Sequence, residues 1–272
     1  MPVTEVGEIE LSYERSGAGP PLLLIMGMSG TALHWGEPFL AELRRDFEVI
    51  VYDHRGVGAS SHLEGPVSTA QMAEDASGLL GALGIESAHV LGISMGGMIA
   101  QELALAHPEQ VRTLTLGCTY CGGPQSALTS PEVMRRLGEA MMSGDRERAV
   151  RVGWEVNVSP SMAEDAHAYA AFLAIAAERA VAVPVVMAQM QACTAHDTAA
   201  RLHSLAPPTL VIHGTEDEML PVDNGRLIAS LVPGAQLEIL DGVGHLFFWE
   251  LPERSAELLR AHVGACPSVT QS

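Results

Sequence analysis

The chain has 272 residues, which suits one large domain with an insertion and is too long for a disulfide-stapled mini-protein. Its 33 acidic against 15 basic residues give a formal charge of −18, a field that repels phosphate backbones and argues against a nucleic-acid partner. With 47% apolar residues there is ample material for a core, which argues against a disordered chain.

Met1 to Glu5 lack the basic start and apolar core of a secretory signal. No apolar stretch reaches the length of a membrane span, so a cytoplasmic protein with no membrane attachment is expected. Residues 3–14 alternate apolar and polar side chains, as an antiparallel hairpin does. Residues 21–26 form a continuous apolar run, the pattern of a strand buried on both faces. Similar runs follow at 49–52, 88–91, 111–116, 209–213 and 236–240. Helical patterns lie between them. In 68–83, Ser68 and Gln71 make a capping box; 98–106 stops at His107-Pro108; 222–231 and 252–262 follow. Strands alternating with helices predict an α/β fold, a mostly parallel sheet covered by helices on both faces.

Residues 122–194 break that rhythm. They hold no strand pattern, are rich in Ala, Met and Val, and are divided by Pro124, Pro131, Pro160 and Pro184. A helical cap is therefore expected there, inserted into a core made of 1–121 and 195–272. Its Met134, Met141, Met142, Met162, Met187 and Met190 suggest an adaptable apolar pocket lining. The tail after Pro267 is polar and expected to fray. The cysteines, Cys118, Cys121, Cys193 and Cys266, are too sparse for a disulfide framework. Cys118 and Cys121 form a C-x-x-C with no second pair or histidine cluster, so ordinary packing and no metal is the expectation.

The strongest chemical signal is Gly92-Ile93-Ser94-Met95-Gly96. It follows a buried strand and opens a helix, the strand–turn–helix context that puts a nucleophilic serine on a strained turn. Gly92 and Gly96 remove side chains where helix and strand must approach closely. A serine hydroxyl needs a base. His245 lies in Gly242-Val243-Gly244-His245, just past the last strand pattern, and is better placed than His54, His89 or His213. His213 falls inside a strand pattern and is expected to be a core histidine or a support to the site. The acid that orients the base is expected after the preceding strand. Asp217 is there, with Glu216, Glu218 and Asp223 as rivals. Cys118 to Cys121, after the strand at 111–116, offer no carboxylate.

Ser94, Asp217 and His245 in these settings resemble the α/β-hydrolase fold superfamily, in its serine-nucleophile branch. The likeness extends to Met26-Gly27-Met28 after the first buried strand, where that family usually has His-Gly-x. It extends also to Asp53-His54-Arg55-Gly56-Val57-Gly58-Ala59-Ser60 and to Gly244-His245 with Glu250, Pro252 and Glu253. The segment 94–101 is most similar to carboxylesterases, enol-lactonases and cofactor-free haloperoxidases or perhydrolases. The resemblance implies an oxyanion hole made by the backbone N–H groups of Met28 and Met95, and chemistry that needs no cofactor. It implies a small-molecule ester or lactone as substrate. Carbon–carbon bond hydrolysis, perhydrolysis and a ligand-binding receptor on the same fold are the alternatives. Self-assembly into a homo-oligomer is left open. Arg55 is expected to pair with Asp53 or brace its turn, while His34 and Trp35 lie close enough in sequence to reach a pocket.

Overall fold

The computed structural model describes residues 1–178 and 180–265; Cys266 and the polar tail lie outside them. The eight strands are β1 (Val3–Val6), β2 (Ile9–Gly17), β3 (Pro21–Ile25), β4 (Glu48–Tyr52), β5 (Ala88–Ile93), β6 (Val111–Gly117), β7 (Thr209–Gly214) and β8 (Gln236–Leu240). They form one sheet in the order β1-β2-β4-β3-β5-β6-β7-β8. The N-terminal hairpin joins antiparallel, β1 on β2 and β2 on β4; every later pair is parallel. The apolar runs become β3 to β7 because a parallel strand inside the sheet is covered on both faces, whereas β8 at the edge leaves Gln236 and Leu237 exposed.

Three helices precede the insertion: α1 (Glu37–Leu43), α2 (Thr69–Ala82) and α3 (Met95–Ala106). Ser68 Oγ accepts the Gln71 N–H at 3.1 Å and starts α2. Helix α3 begins three residues earlier than periodicity alone suggests, at Met95. Helix α1 has no counterpart among the sequence expectations. Its N-cap is Gly36, which offers no side-chain acceptor, so the sequence carries no start signal there.

Between β6 and β7 the described residues contain helices and no strand: α4 (Pro131–Met142), α5 (Arg146–Asn157), α6 (Pro160–Ala163), α7 (Ala166–Glu178) and α8 (Val183–Ala195). Ser130, Asp145 and Ser159 cap α4, α5 and α6 through their side-chain oxygens. The chain leaves and re-enters the sheet layer at one place, where Thr198 and Ala199 N–H both donate to Cys121 O at 2.8 and 3.1 Å. After β7 come α9 (Asp223–Leu231), α10 (Phe247–Glu250) and α11 (Pro252–Gly264).

The sheet divides the core in two. Leu23, Ile25, Ile50, Val90 and Leu116 pack against α2, α3 and α9. Leu22, Leu24, Val51, Leu91 and Ile212 pack against α1, α10 and α11. Adjacent residues of one strand serve opposite layers because successive side chains alternate across a sheet. Leu23 is fully buried at the centre of the first layer. Leu23→Ala is expected to cost about 2–5 kcal/mol, read as a lower urea midpoint at unchanged m-value. A change under about 0.5 kcal/mol would mean the layer repacks freely around that position.

Candidate active site

Ser94 stands between the end of β5 and the first turn of α3 with φ 56° and ψ −124°, a conformation rarely adopted by a residue with a side chain. The neighbourhood enforces it. A Cβ on Gly92 would collide with the Gly96 carbonyl, and a Cβ on Gly96 with the Ile25 carbonyl oxygen. Ser94 N–H donates to Gly117 O at 3.0 Å, and Ser94 O accepts Thr119 Oγ1 at 2.7 Å and Gly97 N–H at 2.9 Å. The backbone is held on both sides while the side chain stays partly open to solvent.

Beside it, Gly27 to Gly30 form a tight turn closed by Gly30 N–H on Gly27 O at 3.3 Å, with Ser29 at φ 59°. Gly27 lies so close that a Cβ there would stand 3.1 Å from the Ser94 Cβ. His54 Nε2 donates to Met26 O at 2.8 Å, and Ala32 N–H donates to Asp53 Oδ1 at 2.8 Å, so the turn is braced at both ends. The Ser29 N–H is taken by Gln189 Oε1 of α8 at 2.8 Å. The N–H groups of Met28 and Met95 donate to no protein group among the described residues. Met95 also opens α3, where the helix dipole favours negative charge.

Asp217 follows β7 and is buried, whereas Glu216 and Glu218 are exposed. Its Oδ1 accepts the N–H groups of Met219 and Leu220, each at 2.9 Å. Its Oδ2 lies 2.8 Å from His245 Nδ1 and 3.2 Å from His213 Nε2. Burial by itself would raise the carboxyl's pKa; the His245 charge and the hydrogen bonds from His213 and His245 outweigh it and hold Asp217 ionised, below the usual carboxylate range. His213 is thus a support to the acid, and its Nε2 also donates to Leu220 O at 2.7 Å. His245 is buried on the loop after β8. Glu250 pins that loop by accepting Gly244 N–H at 2.8 Å, and the same oxygen accepts Ser159 N–H from the insertion at 2.9 Å. Asp217 and His245 are therefore paired, and Ser94 reaches the same carboxyl-terminal edge of the sheet. No hydrogen bond joins Ser94 Oγ to His245 among the described residues; such contacts often tighten only when substrate binds.

Other expectations need correction. Of the two roles expected of Arg55 the structure shows the brace: it ties its turn to α2 through a bidentate ion pair with Asp75 at 2.6 and 2.5 Å. Asp53 instead holds the turn at Ala32. Trp35 is fully buried in the core against Phe39 and Phe248. His34 packs edge-on against Phe172 of α7, and burial pushes its pKa down to about 4. Met142 is 89% exposed and faces away from the fold, so it lines no pocket. Gln189 carried no sequence signal, because it sits in an apolar run of α8 where nothing distinguishes it from a surface amide.

A model of the α/β hydrolase fold matches residues 20–174 and 177–252. The chain belongs to this family. It is a hydrolase. It is 32% identical over its whole length, and the relative's, to a putative carbamate hydrolase (RutD) of Azorhizobium caulinodans. It is also 32% identical to a poly(3-hydroxyalkanoate) depolymerase of Ectopseudomonas oleovorans, across 88% of this chain and 82% of that one. Among solved structures, a hydrolase from Pseudomonas aeruginosa superposes with a TM-score of 0.83 at 30% identity, covering 97% and 98% of the two chains. An enol-lactonase from Burkholderia xenovorans gives 0.81 at 25% identity over 97% and 100%.

The depressed Asp217 carboxyl makes a pH prediction. A carboxyl whose folded pKa lies below its unfolded value of about 3.9 contributes stability above that pH and loses it as pH falls further. In urea unfolding the hydrolase is expected to lose stability steeply below about pH 4, and Asp217→Asn to show a shallower acid slope. Parallel slopes in the two proteins would show that the carboxylate is not held by its histidines.

Proposed function

We propose that this hydrolase cleaves a small carboxylic ester or lactone through an acyl-enzyme, with Ser94 as nucleophile, His245 as base and Asp217 as its orienting acid. One joint observation supports the reading: a serine on a strained strand-to-helix turn and a buried Asp–His pair share one edge of the sheet. His245 takes the Ser94 proton while Ser94 Oγ attacks the acyl carbon. The unoccupied N–H groups of Met28 and Met95 receive the developing oxyanion. His245 then returns the proton to the leaving alcohol, and water deacylates the enzyme by the same route. Asp217 keeps the Nδ1–H tautomer in place and stabilises the imidazolium. This chain of steps asks for no metal or organic cofactor.

Residues 122–194 are proposed to act as the cap over this chemistry. Gln189 touches the Met28 turn, Phe172 touches His34, and Val158 and Ser159 press on Gly244 beside His245. The chain's −18 charge disfavours strongly anionic substrates. A carbamate is the second reading, favoured by the full-length relative of that name. It needs the same attack on a carbonyl and passes through a carbamoyl-enzyme.

A panel of p-nitrophenyl esters from C2 to C12, small lactones and an aryl carbamate separates these readings. Short and medium acyl esters are expected to turn over. Ser94→Ala is expected to lose at least about 10³-fold in kcat and all labelling by a fluorophosphonate. Labelling that persists on another serine would remove Ser94 from the mechanism. Binding without turnover across the panel would favour a receptor, and turnover only with added peroxide a perhydrolase. The cap makes its own prediction. Gln189→Leu frees the Ser29 N–H and is expected to lower kcat several-fold with little change in KM, since one neutral hydrogen bond contributes about 0.5–1.5 kcal/mol. A change in KM alone would make Gln189 a substrate contact and not a support of the turn.

A further inference from the structure

Cys118 stands beside the site and takes no part in the chemistry proposed above. It is fully buried at the end of β6 and holds a left-handed backbone, φ 40°, that a cysteine rarely adopts. Its Sγ, a carboxylate oxygen of Asp217 and a ring nitrogen of His245 all lie within 4.8 Å of one another. These side chains come from three separate segments, after β6, β7 and β8, so no spacing in the sequence brings them together. We propose that Cys118, Asp217 and His245 form a site for a soft divalent cation such as Zn²⁺ or Cd²⁺, and that its occupancy switches the hydrolase off.

The donor set fits. One sulfur, one imidazole nitrogen and one carboxylate oxygen are the ligands that zinc and cadmium accept together. In a tetrahedral site such atoms stand about 3.3–3.6 Å apart, so the His245–Asp217 pair, now 2.8 Å apart, opens slightly while the wider separations, none above 4.8 Å, close. The Cys118 thiol proton leaves to solvent, and the His245 proton moves from Nδ1, the atom that faces Asp217 and ligates, to Nε2; no oxidant or reductant takes part. Thiolate and carboxylate then place two negative charges on a dication, and a fourth position stays open. A cavity of about 310 Å³ lined by Glu132, Glu218 and Arg136 reaches the backbone at Asp217, whose side chain is itself fully buried, so entry of the cation needs a local opening. That arginine is already paired with Glu218 and Glu155. The chain's negative field concentrates cations around it.

A bound cation holds Asp217 and His245 so that neither can serve Ser94. This inhibitory effect rests on the proposed triad; the binding does not, and the two are read separately. The experiment uses a chain with Cys121, Cys193 and Cys266 replaced by serine, titrated with Cd²⁺. The cadmium–thiolate charge-transfer band in the ultraviolet reports binding, and fluorophosphonate labelling reports the free site. One Cd²⁺ per chain, a saturating band and matching loss of labelling are expected. Adding Cys118→Ser is expected to abolish the band and weaken the inhibition by at least about tenfold, with metal-free labelling retained. Cys118→Ala guards against a folding defect or residual ligation by the serine hydroxyl. Absence of the band in the Cys118-only chain overturns the site, as does inhibition that survives both Cys118 variants. A band without metal-free labelling would leave the cation site standing and remove the triad reading.

Discussion

Ser94 holds a backbone conformation that costs a non-glycine residue about 1–3 kcal/mol. It persists because three backbones close on it: β5 behind, α3 ahead and the end of β3 alongside. That closeness is possible only where Gly92 and Gly96 carry no side chain. Once the elbow is fixed, much of the site follows from it. Gly97 and Met98 N–H turn back onto Ser94 O and start α3. The Met95 N–H is left at the mouth of that helix, and Gly27 is drawn up against the serine. Ile25, Val90 and Ile99, from the same three elements, pack together in one apolar layer.

Electrostatics sets the second constraint. The protein is strongly acidic, yet the buried carboxylate beside His245 is fully partnered. Asp217 receives two backbone N–H groups on one oxygen and two imidazoles on the other. A buried carboxylate left with fewer partners would take up a proton and lose its hold on His245. His213 can only donate here: its Nε2 faces two acceptors, while its Nδ1 is buried without a partner against Gly225.

The parts legible in the sequence are those written in local pattern. Unbroken apolar runs announced the parallel strands, Ser68 the start of α2, and glycine on both sides of Ser94 the elbow. The sequence left Glu216, Glu218 and Asp223 as rivals of Asp217; burial is what distinguishes Asp217 from its two neighbours physically. Contacts between distant segments left no trace. Arg55 finds Asp75 on the first turns of α2, Gln189 finds Ser29 across 160 residues, and Cys118 meets the Asp–His pair through the sheet order alone. A composition rich in methionine signalled an adaptable surface in the insertion but not which way each side chain turns, and Met142 turns outward.

The insertion is joined to the two loops on which the proposed chemistry depends. Through Gln189 it holds the turn that carries Met28; through Ser159 and Asn157 it holds the loop of His245, since Leu246 N–H donates to Asn157 O at 2.8 Å. Any displacement of these helices therefore pulls on the Met28 turn and on the His245 loop together. The ties are of two kinds: hydrogen bonds to backbone fix direction at the two loops, while Phe172 and Trp154 against His34 and Trp249 fix area beside them.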